Sequence, residues 1–161
     1  MIKQIAAIGA LASLGLATSS HAEKPGTVRY HKLGPLQNGA FGSGYKDRSK
    51  GPDTWRVIGK TGGSDYIEKA RERIALYRAA ELTESAGRKY IKFIKTKSAD
   101  LTTGLFYGTW SNGTEFKLDF QATDTPDPEF HCASDVLRSE CKTIDAVAAK
   151  NEIRPFLDFG K

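Results

Sequence analysis

The chain has 161 residues, of which 39% are hydrophobic and 27% charged, and its formal net charge is +5 at pH 7. This length suits one domain with a real core, and the composition excludes a fibrous or wholly disordered protein. No segment after the first 22 residues is apolar enough to span a bilayer, so we expect a soluble mature chain with no stable membrane anchor.

The N-terminus has the three parts of a secretory signal peptide. Lys3 gives the positive start, residues 5–17 form an uncharged apolar run, and Ala22 ends a small-residue motif that suits cleavage before Glu23. The run is shorter than the roughly 20 residues that a spanning helix needs. We therefore predict cleavage near Ala22 and a periplasmic or secreted protein.

Charge and glycine content divide the chain into segments. We predict a signal peptide over residues 1–22, a flexible, basic, glycine-rich arm over residues 23–51, and a single domain over residues 52–161. Residues 51–99 carry a net charge of +5 and residues 100–161 one of −5. This division favours ion pairs within the protein, or a dipolar surface, over one broad basic patch, and it argues against nucleic-acid binding.

The strongest helix signal begins at Ser64 or Asp65 and ends before Gly87, which is placed to be a left-handed C-cap. Its second half is apolar on most sides, so we expect a central helix packed on a sheet. Arg78 and Glu81 are three residues apart and can meet on the helix surface. We predict that they form a structural ion pair at the edge of the core and have no catalytic role.

Shorter elements surround this helix. Strands are predicted at Thr54–Ile58, followed by a loop over residues 59–63, and at Tyr90–Thr96, and a short helix is predicted at Ile144–Lys150. Together these elements predict an α+β fold, in which one long helix packs across a small, mainly antiparallel sheet and a short helix lies near the C-terminus.

A hairpin turn is predicted at Asn112-Gly113, the preferred dipeptide for a two-residue turn between strands. Because the turn fixes the register, Leu105 would pair with Phe120 across the core face. The same register would place Phe106 and Trp110 on the opposite, polar face.

Phe106 and Trp110 therefore have two interpretations. As exposed rings they would bind a sugar ring, a peptide or a partner protein. Alternatively, the N-terminal arm or the C-terminal tail folds over them, and they are ordinary packing.

Cys132 and Cys141 are the only cysteines, and an oxidising compartment favours a disulfide between them. The alternative is a reactive thiol assisted by His131. Gly59-Lys60-Thr61 does not form a phosphate-binding loop, because Thr54 occupies the position of the required glycine. We find no spacing typical of a metal site, a cofactor site or a catalytic nucleophile.

The middle of the chain resembles an uncharacterised family of small bacterial envelope proteins, many of them lipoproteins. The matching residues are Gly44-Tyr45, Trp55-Arg56-Val57, Ala75–Leu82, Gly87 and Tyr90, with a weaker match at Asp145-Ala146. The resemblance implies an envelope location and a compact α+β fold whose structural centre is the helix of Arg78 and Glu81. Unlike the lipoproteins, this chain has no cysteine at the cleavage site to carry a lipid.

Three functional hypotheses follow. The first is a monomeric, non-enzymatic envelope protein without a cofactor, which binds an envelope protein or glycan through Phe106 and Trp110. The second is capture of an anionic envelope glycan or lipid headgroup by Lys46, Arg48 and Lys50 of the arm, with a steep dependence on salt. The third is a secreted enzyme whose site is assembled only in three dimensions.

Overall fold

The computed structural model describes residues 26–34, 42–62, 69–105 and 108–160, without the side chains of residues 100–113. The predicted signal peptide lies outside the described residues, as does the predicted start of the long helix. Among the helices that the structure describes, none has the length and apolar character needed to cross a membrane.

Eight strands and two α-helices follow one another along the described part of the chain. In order they are β1 Val28–Arg29, β2 Gly44–Gly51, β3 Thr54–Thr61, α1 Ala70–Ser85, β4 Tyr90–Leu105, β5 Gly108–Thr123, β6 His131–Cys132, β7 Thr143–Asp145, α2 Ala146–Ile153, a 3₁₀ turn Arg154–Phe156, and β8 Leu157–Asp158.

Six of these strands form one mixed sheet in the order β2-β3-β5-β4-β7-β6. Neighbouring strands are antiparallel, except that β6 and β7 are parallel. Strands β1 and β8 form a separate parallel pair. With one long and one short helix, this is the α+β architecture that the sequence predicts.

Helix α1 packs on one face of this sheet and builds the core there. Ile74 of α1 is fully buried, as are Leu118 and Phe120 of β5, and burial of each such side chain contributes about 1.5–3 kcal/mol. At Gly59 of β3, an added Cβ would lie 2.1 Å from the carbonyl oxygen of Arg71. Only glycine therefore allows α1 to approach this strand so closely.

The predicted end of α1 is confirmed. Gly87 has a φ of +70°, in the left-handed region that favours glycine. The Arg88 N–H donates to the Thr83 carbonyl at 3.0 Å, and the Gly87 N–H donates to the Glu84 carbonyl at 2.9 Å. These bonds satisfy carbonyls that the last helical turn leaves without partners.

The predicted hairpin turn is wrong. Strands β4 and β5 pair as far as Leu105 and Gly108, so the connection lies six residues before the predicted turn. Asn112 and Gly113 stand together opposite Leu101, where the register shifts. This dipeptide therefore forms a bulge inside β5, because two residues face one residue of the partner strand.

The corrected register changes the pairs on both faces. Phe120 lies opposite Phe93, not Leu105. Strand β3 pairs with the other edge of β5 from Thr54 to Thr61, so the predicted loop after Ile58 is also wrong. Pairing on both sides holds β5 in a register that a two-residue turn at Asn112 would not allow.

The predicted boundary between a flexible arm over residues 23–51 and a domain over residues 52–161 is wrong for the described part of the arm. Gly44–Gly51 is strand β2, which pairs with β3 along its whole length. Val28 of β1 is fully buried, and Tyr30 and Leu33 are buried beside it. Apolar side chains at these three positions explain why the segment packs, although glycines surround them.

Candidate functional site

The register of the sheet brings basic residues from four strands onto the face that α1 does not cover. Because directly opposed residues of paired strands point to the same face, Arg56, Asp119 and Lys95 lie in one row. We call this surface the basic face. Its basic residues are Lys46, Arg48, Lys50, Arg56, Lys60, Lys92, Lys95, Lys97 and Lys117.

Two acidic residues, Asp119 and Glu115, also lie on the basic face, so nine basic and two acidic side chains give it a net charge of +7. Both acids are already paired. The Arg56 guanidinium donates to the two Asp119 oxygens at 2.5 and 2.6 Å, and Lys50 Nζ lies 3.4 Å from the same carboxylate.

The hydrogen bonds from Arg56 favour the ionised form of Asp119. The hydrogen bonds from Arg56 hold the pKa of this carboxyl below its usual range, outweighing its partial burial, and Lys50 adds to the effect. Asp119 is therefore a carboxylate at neutral pH and a weak proton acceptor, which suits a structural role more than general base catalysis.

Glu115 has two partners of its own. Lys117 Nζ lies 2.5 Å from one carboxylate oxygen, and Lys60 Nζ lies 3.7 Å from the other. Lys50, Arg56, Lys60 and Lys117 thus neutralise the two acids. The other five bases, which have no ion-pair partner among the described residues, are Lys46, Arg48, Lys92, Lys95 and Lys97.

Two cross-strand pairs on the basic face join like charges. Arg48 of β2 lies opposite Arg56 of β3, and Lys97 of β4 lies opposite Lys117 of β5. Like charges directly opposite each other destabilise a sheet. These two like-charged pairs therefore do not stabilise the sheet.

A cavity of about 220 Å³ opens in the middle of the basic face. It is lined by Arg56, Lys95, Lys97, Lys117 and Asp119. Arg56 is bonded to Asp119 and Lys117 to Glu115, so the ammonium groups at the cavity without an ion-pair partner among the described residues are those of Lys95 and Lys97. This geometry suits an anionic oxygen group, because the two ammonium groups can donate to it and the nearby Lys117 and Arg56 add positive charge.

The expectation that the bases would not form one broad patch is wrong. The net charge of each segment does not show the patch, because the sheet brings strands from distant segments side by side. Most acids of residues 100–161 lie outside the basic face, so they do not cancel its charge. Alternation of basic residues at 46, 48 and 50 and at 95 and 97 is the sequence signal that could have revealed it.

A second set of charges lies on the other side of β2. Arg78 of α1 bonds Asp47 at 2.6 Å and Glu81 at 2.9 Å, so the predicted ion pair with Glu81 is present. The Tyr30 hydroxyl donates to Glu81 at 2.6 Å, and Lys32 lies 2.9 Å from Asp47. We call these five residues the Arg78 cluster.

Each ionised group of the Arg78 cluster has an opposite charge beside it. Burial disfavours ionisation of Asp47, but hydrogen bonds from Lys32 and Arg78 outweigh it and lower the pKa of this carboxyl. Burial and the bond to Glu81 raise the pKa of Tyr30. The cluster ties the segment of Tyr30 to α1 and β2, and the predicted ion pair of Arg78 with Glu81 is part of it.

The other predicted site residues have different outcomes. Cys132 and Cys141 form the predicted disulfide. His131 Nδ1 lies 3.2 Å from Thr143 Oγ1, and its ring packs on Tyr90. Phe106 lies outside the described residues, and of Trp110 only the backbone is described, so their role as an interaction surface stays a prediction.

Among the described residues, no group of three or more histidine, cysteine or acidic side chains could hold a metal ion. Comparison with protein-family models, with curated proteins and with solved structures gave no match.

Proposed function

We propose that this chain is an exported, non-enzymatic protein of the bacterial envelope that binds a polyanion through the basic face. The observation that carries the proposal is the set of nine bases on the sheet face that α1 does not cover, five of them without an ion-pair partner among the described residues. Like-charged pairs across strands are tolerated when a ligand supplies the missing negative charge.

Export is supported by features of the chain itself. The first 22 residues have the order of parts that a secretory signal requires. The disulfide between Cys132 and Cys141 is of a kind that persists in oxidising compartments. The family resemblance at Gly44-Tyr45 and Ala75–Leu82 also favours the envelope.

The basic residues that were predicted to bind a ligand from a flexible arm belong to the sheet. Lys46, Arg48 and Lys50 were expected to act as a flexible basic segment, but they lie on β2 at one edge of the basic face. Lys92, Lys95 and Lys97 extend the same surface to β4, three strands away. A rigid array of this kind suits a surface or chain that presents repeated phosphate or carboxylate groups.

Binding to two anionic probes tests the proposal. Purified protein should sediment with vesicles of phosphatidylcholine and phosphatidylglycerol or bind soluble polyuronate, and should bind neither pure phosphatidylcholine nor a neutral glycan. Because salt shortens the Debye length from about 10 Å at 0.1 M to about 3 Å at 1 M, binding should be lost at high salt. The two probes distinguish a lipid headgroup from an acidic glycan.

A charge-reversal pair gives the matched control. Lys95→Glu with Lys97→Glu should weaken binding at least about tenfold, since each base near an anionic surface is worth about 1 kcal/mol. Lys89→Glu with Arg154→Glu makes the same charge change at exposed residues outside the basic face. Equal losses in the two variants, or no binding to either probe, would refute the proposal.

A further inference from the structure

The outer edge of β4 is largely unpaired. Strand β7 covers it only from Tyr90 to Lys92, and the Phe93 N–H then donates to the Lys142 carbonyl at 2.9 Å. From Lys95 to Leu105, no strand among the described residues pairs with this edge. An unpaired edge offers a row of backbone donors and acceptors to another extended chain.

An apolar groove of about 380 Å³ lies beside this free edge, on the side of the sheet that faces α1. Charged residues, Glu72 and Arg138 among them, share its lining with the apolar Leu76, Phe93, Phe116, Val136 and Leu137. The last two belong to the loop that the disulfide closes. Ile94, at the rim, is 59% exposed, which is unusual for so large an apolar side chain.

The two sides of the edge therefore differ in chemistry. Towards α1 lies the mainly apolar groove, and towards the basic face lie Lys95 and Lys97, both exposed and without an ion-pair partner among the described residues; Lys95 also lines the groove. Successive side chains of a strand point to opposite faces. A strand added here would place every second side chain over the groove and the others beside the lysines.

We propose that the free edge of β4 binds an extended peptide in which apolar and acidic residues alternate. The peptide adds a strand to the sheet, its apolar side chains fill the groove of Leu76 and Leu137, and its carboxylates pair with Lys95 and Lys97. This partner is a protein segment, and its site is the edge of the sheet and not the polyanion surface as a whole.

A second copy of the chain fits this edge poorly. Pairing of two β4 edges would bring Lys95 and Lys97 of both copies close together, and lysines on an edge strand are a common protection against such association. An acidic partner removes this repulsion, so the charge of the edge selects the occupant.

A synthetic peptide of alternating glutamate and valine, seven residues long with blocked ends, tests the proposal by calorimetry. Its affinity should exceed that of a peptide of the same composition with the glutamates grouped at one end. Replacing valine by serine should weaken binding at least about tenfold, because the apolar area in the groove is lost.

Two N-methylated versions test strand addition without any change to the protein. In an edge strand, alternate N–H groups point to the neighbour and to solvent. Methylation of one alternate set should therefore weaken binding at least about thirtyfold, and methylation of the other set should have little effect. Equal effects of both sets would overturn strand addition.

Charge reversal separates this proposal from polyanion binding. Lys95→Glu should weaken peptide binding about tenfold, whereas Lys46→Glu, at the far edge of the basic face, should change it less than about twofold. Polyanion binding should weaken in both variants. Equal peptide losses in both, equal affinity for the grouped peptide, or self-association at β4 in sedimentation experiments would overturn the proposal of a peptide edge.

Discussion

The Arg78 cluster and the basic face share strand β2 but use charge in opposite ways. Asp47 points towards α1 and bonds Arg78, while its neighbours Lys46 and Arg48 point to the basic face. In the Arg78 cluster, each charge meets an opposite charge within 2.9 Å. On the basic face, like charges stand opposite each other at Arg48 and Arg56.

The difference separates charges that hold the fold from charges available to a ligand. Asp47 is little exposed, so its ionised form depends on Arg78 and Lys32. Lys95 and Lys97 are exposed and have no such partner among the described residues, and removing one would leave no buried charge behind. Substitutions in the Arg78 cluster should therefore change stability, and substitutions on the basic face should change binding.

The largest expected effect comes from Arg78→Met. This change leaves Asp47 and Glu81 without their shared guanidinium, and breaking such a network should lower the free energy of unfolding by about 2–3 kcal/mol, less than for a fully buried pair because solvent reaches Glu81. Urea unfolding at neutral pH measures the loss.

Arg48→Met is the matched control on the basic face. It removes a charge that lies opposite Arg56, so stability should stay within about 0.5 kcal/mol of the wild type. Similar losses in both variants would erase the distinction between the Arg78 cluster and the basic face.

The local parts of both regions can be predicted from the sequence. The i, i+3 spacing of Arg78 and Glu81 was enough to predict their ion pair, and Gly87 marked the end of the helix. The nine-residue separation of Cys132 and Cys141 likewise made the disulfide a local inference. Each depends on residues that are close along the chain.

The remaining features depend on contacts between distant segments. In the Arg78 cluster, Tyr30 lies 51 residues before its partner Glu81, and Asp47 lies 31 residues before its partner Arg78. The basic face exists only because the sheet order places β5 between β3 and β4. The pairing of β5 with both β3 and β4 outweighs the strong local preference of Asn112-Gly113 for a turn. This is why the sequence alone predicts the hairpin in the wrong place.

Tyr30→Phe should have the next largest effect. The change removes the hydroxyl that donates to Glu81 at 2.6 Å and keeps the ring that packs on Tyr45 and Tyr77. The free energy of unfolding should therefore fall by about 1 kcal/mol. Tyr90→Phe is the control, since the structure shows no hydrogen bond from that hydroxyl to a described residue. Unchanged stability in Tyr30→Phe would contradict docking of this segment through Glu81.

Acid should weaken the Arg78 cluster. The pKa of Asp47 is lowered in the folded protein, so its contribution is fully present above the unfolded value of about 3.9 and is lost as the pH falls through the lower folded value. Asp47→Asn should therefore reduce stability at about pH 6 and make the loss between about pH 5 and pH 2 shallower. Urea unfolding across this range measures it, and an unchanged acid dependence would contradict the role of Asp47.

Lys97→Glu should have the smallest effect on stability, and its sign should be opposite to the others. The new carboxylate lies opposite Lys117 and replaces a like-charged pair by an attractive one, so the free energy of unfolding should rise by up to about 0.5 kcal/mol. The same change should weaken binding to anionic vesicles or polyuronate, because a donor leaves the cavity that Lys95 and Arg56 also line. Parallel measurements of unfolding and binding test this, with Lys89→Glu as the control. A stabilised variant with weakened binding would mean that the repulsion between Lys97 and Lys117 is retained for the ligand, whereas unchanged binding would leave that repulsion without a function.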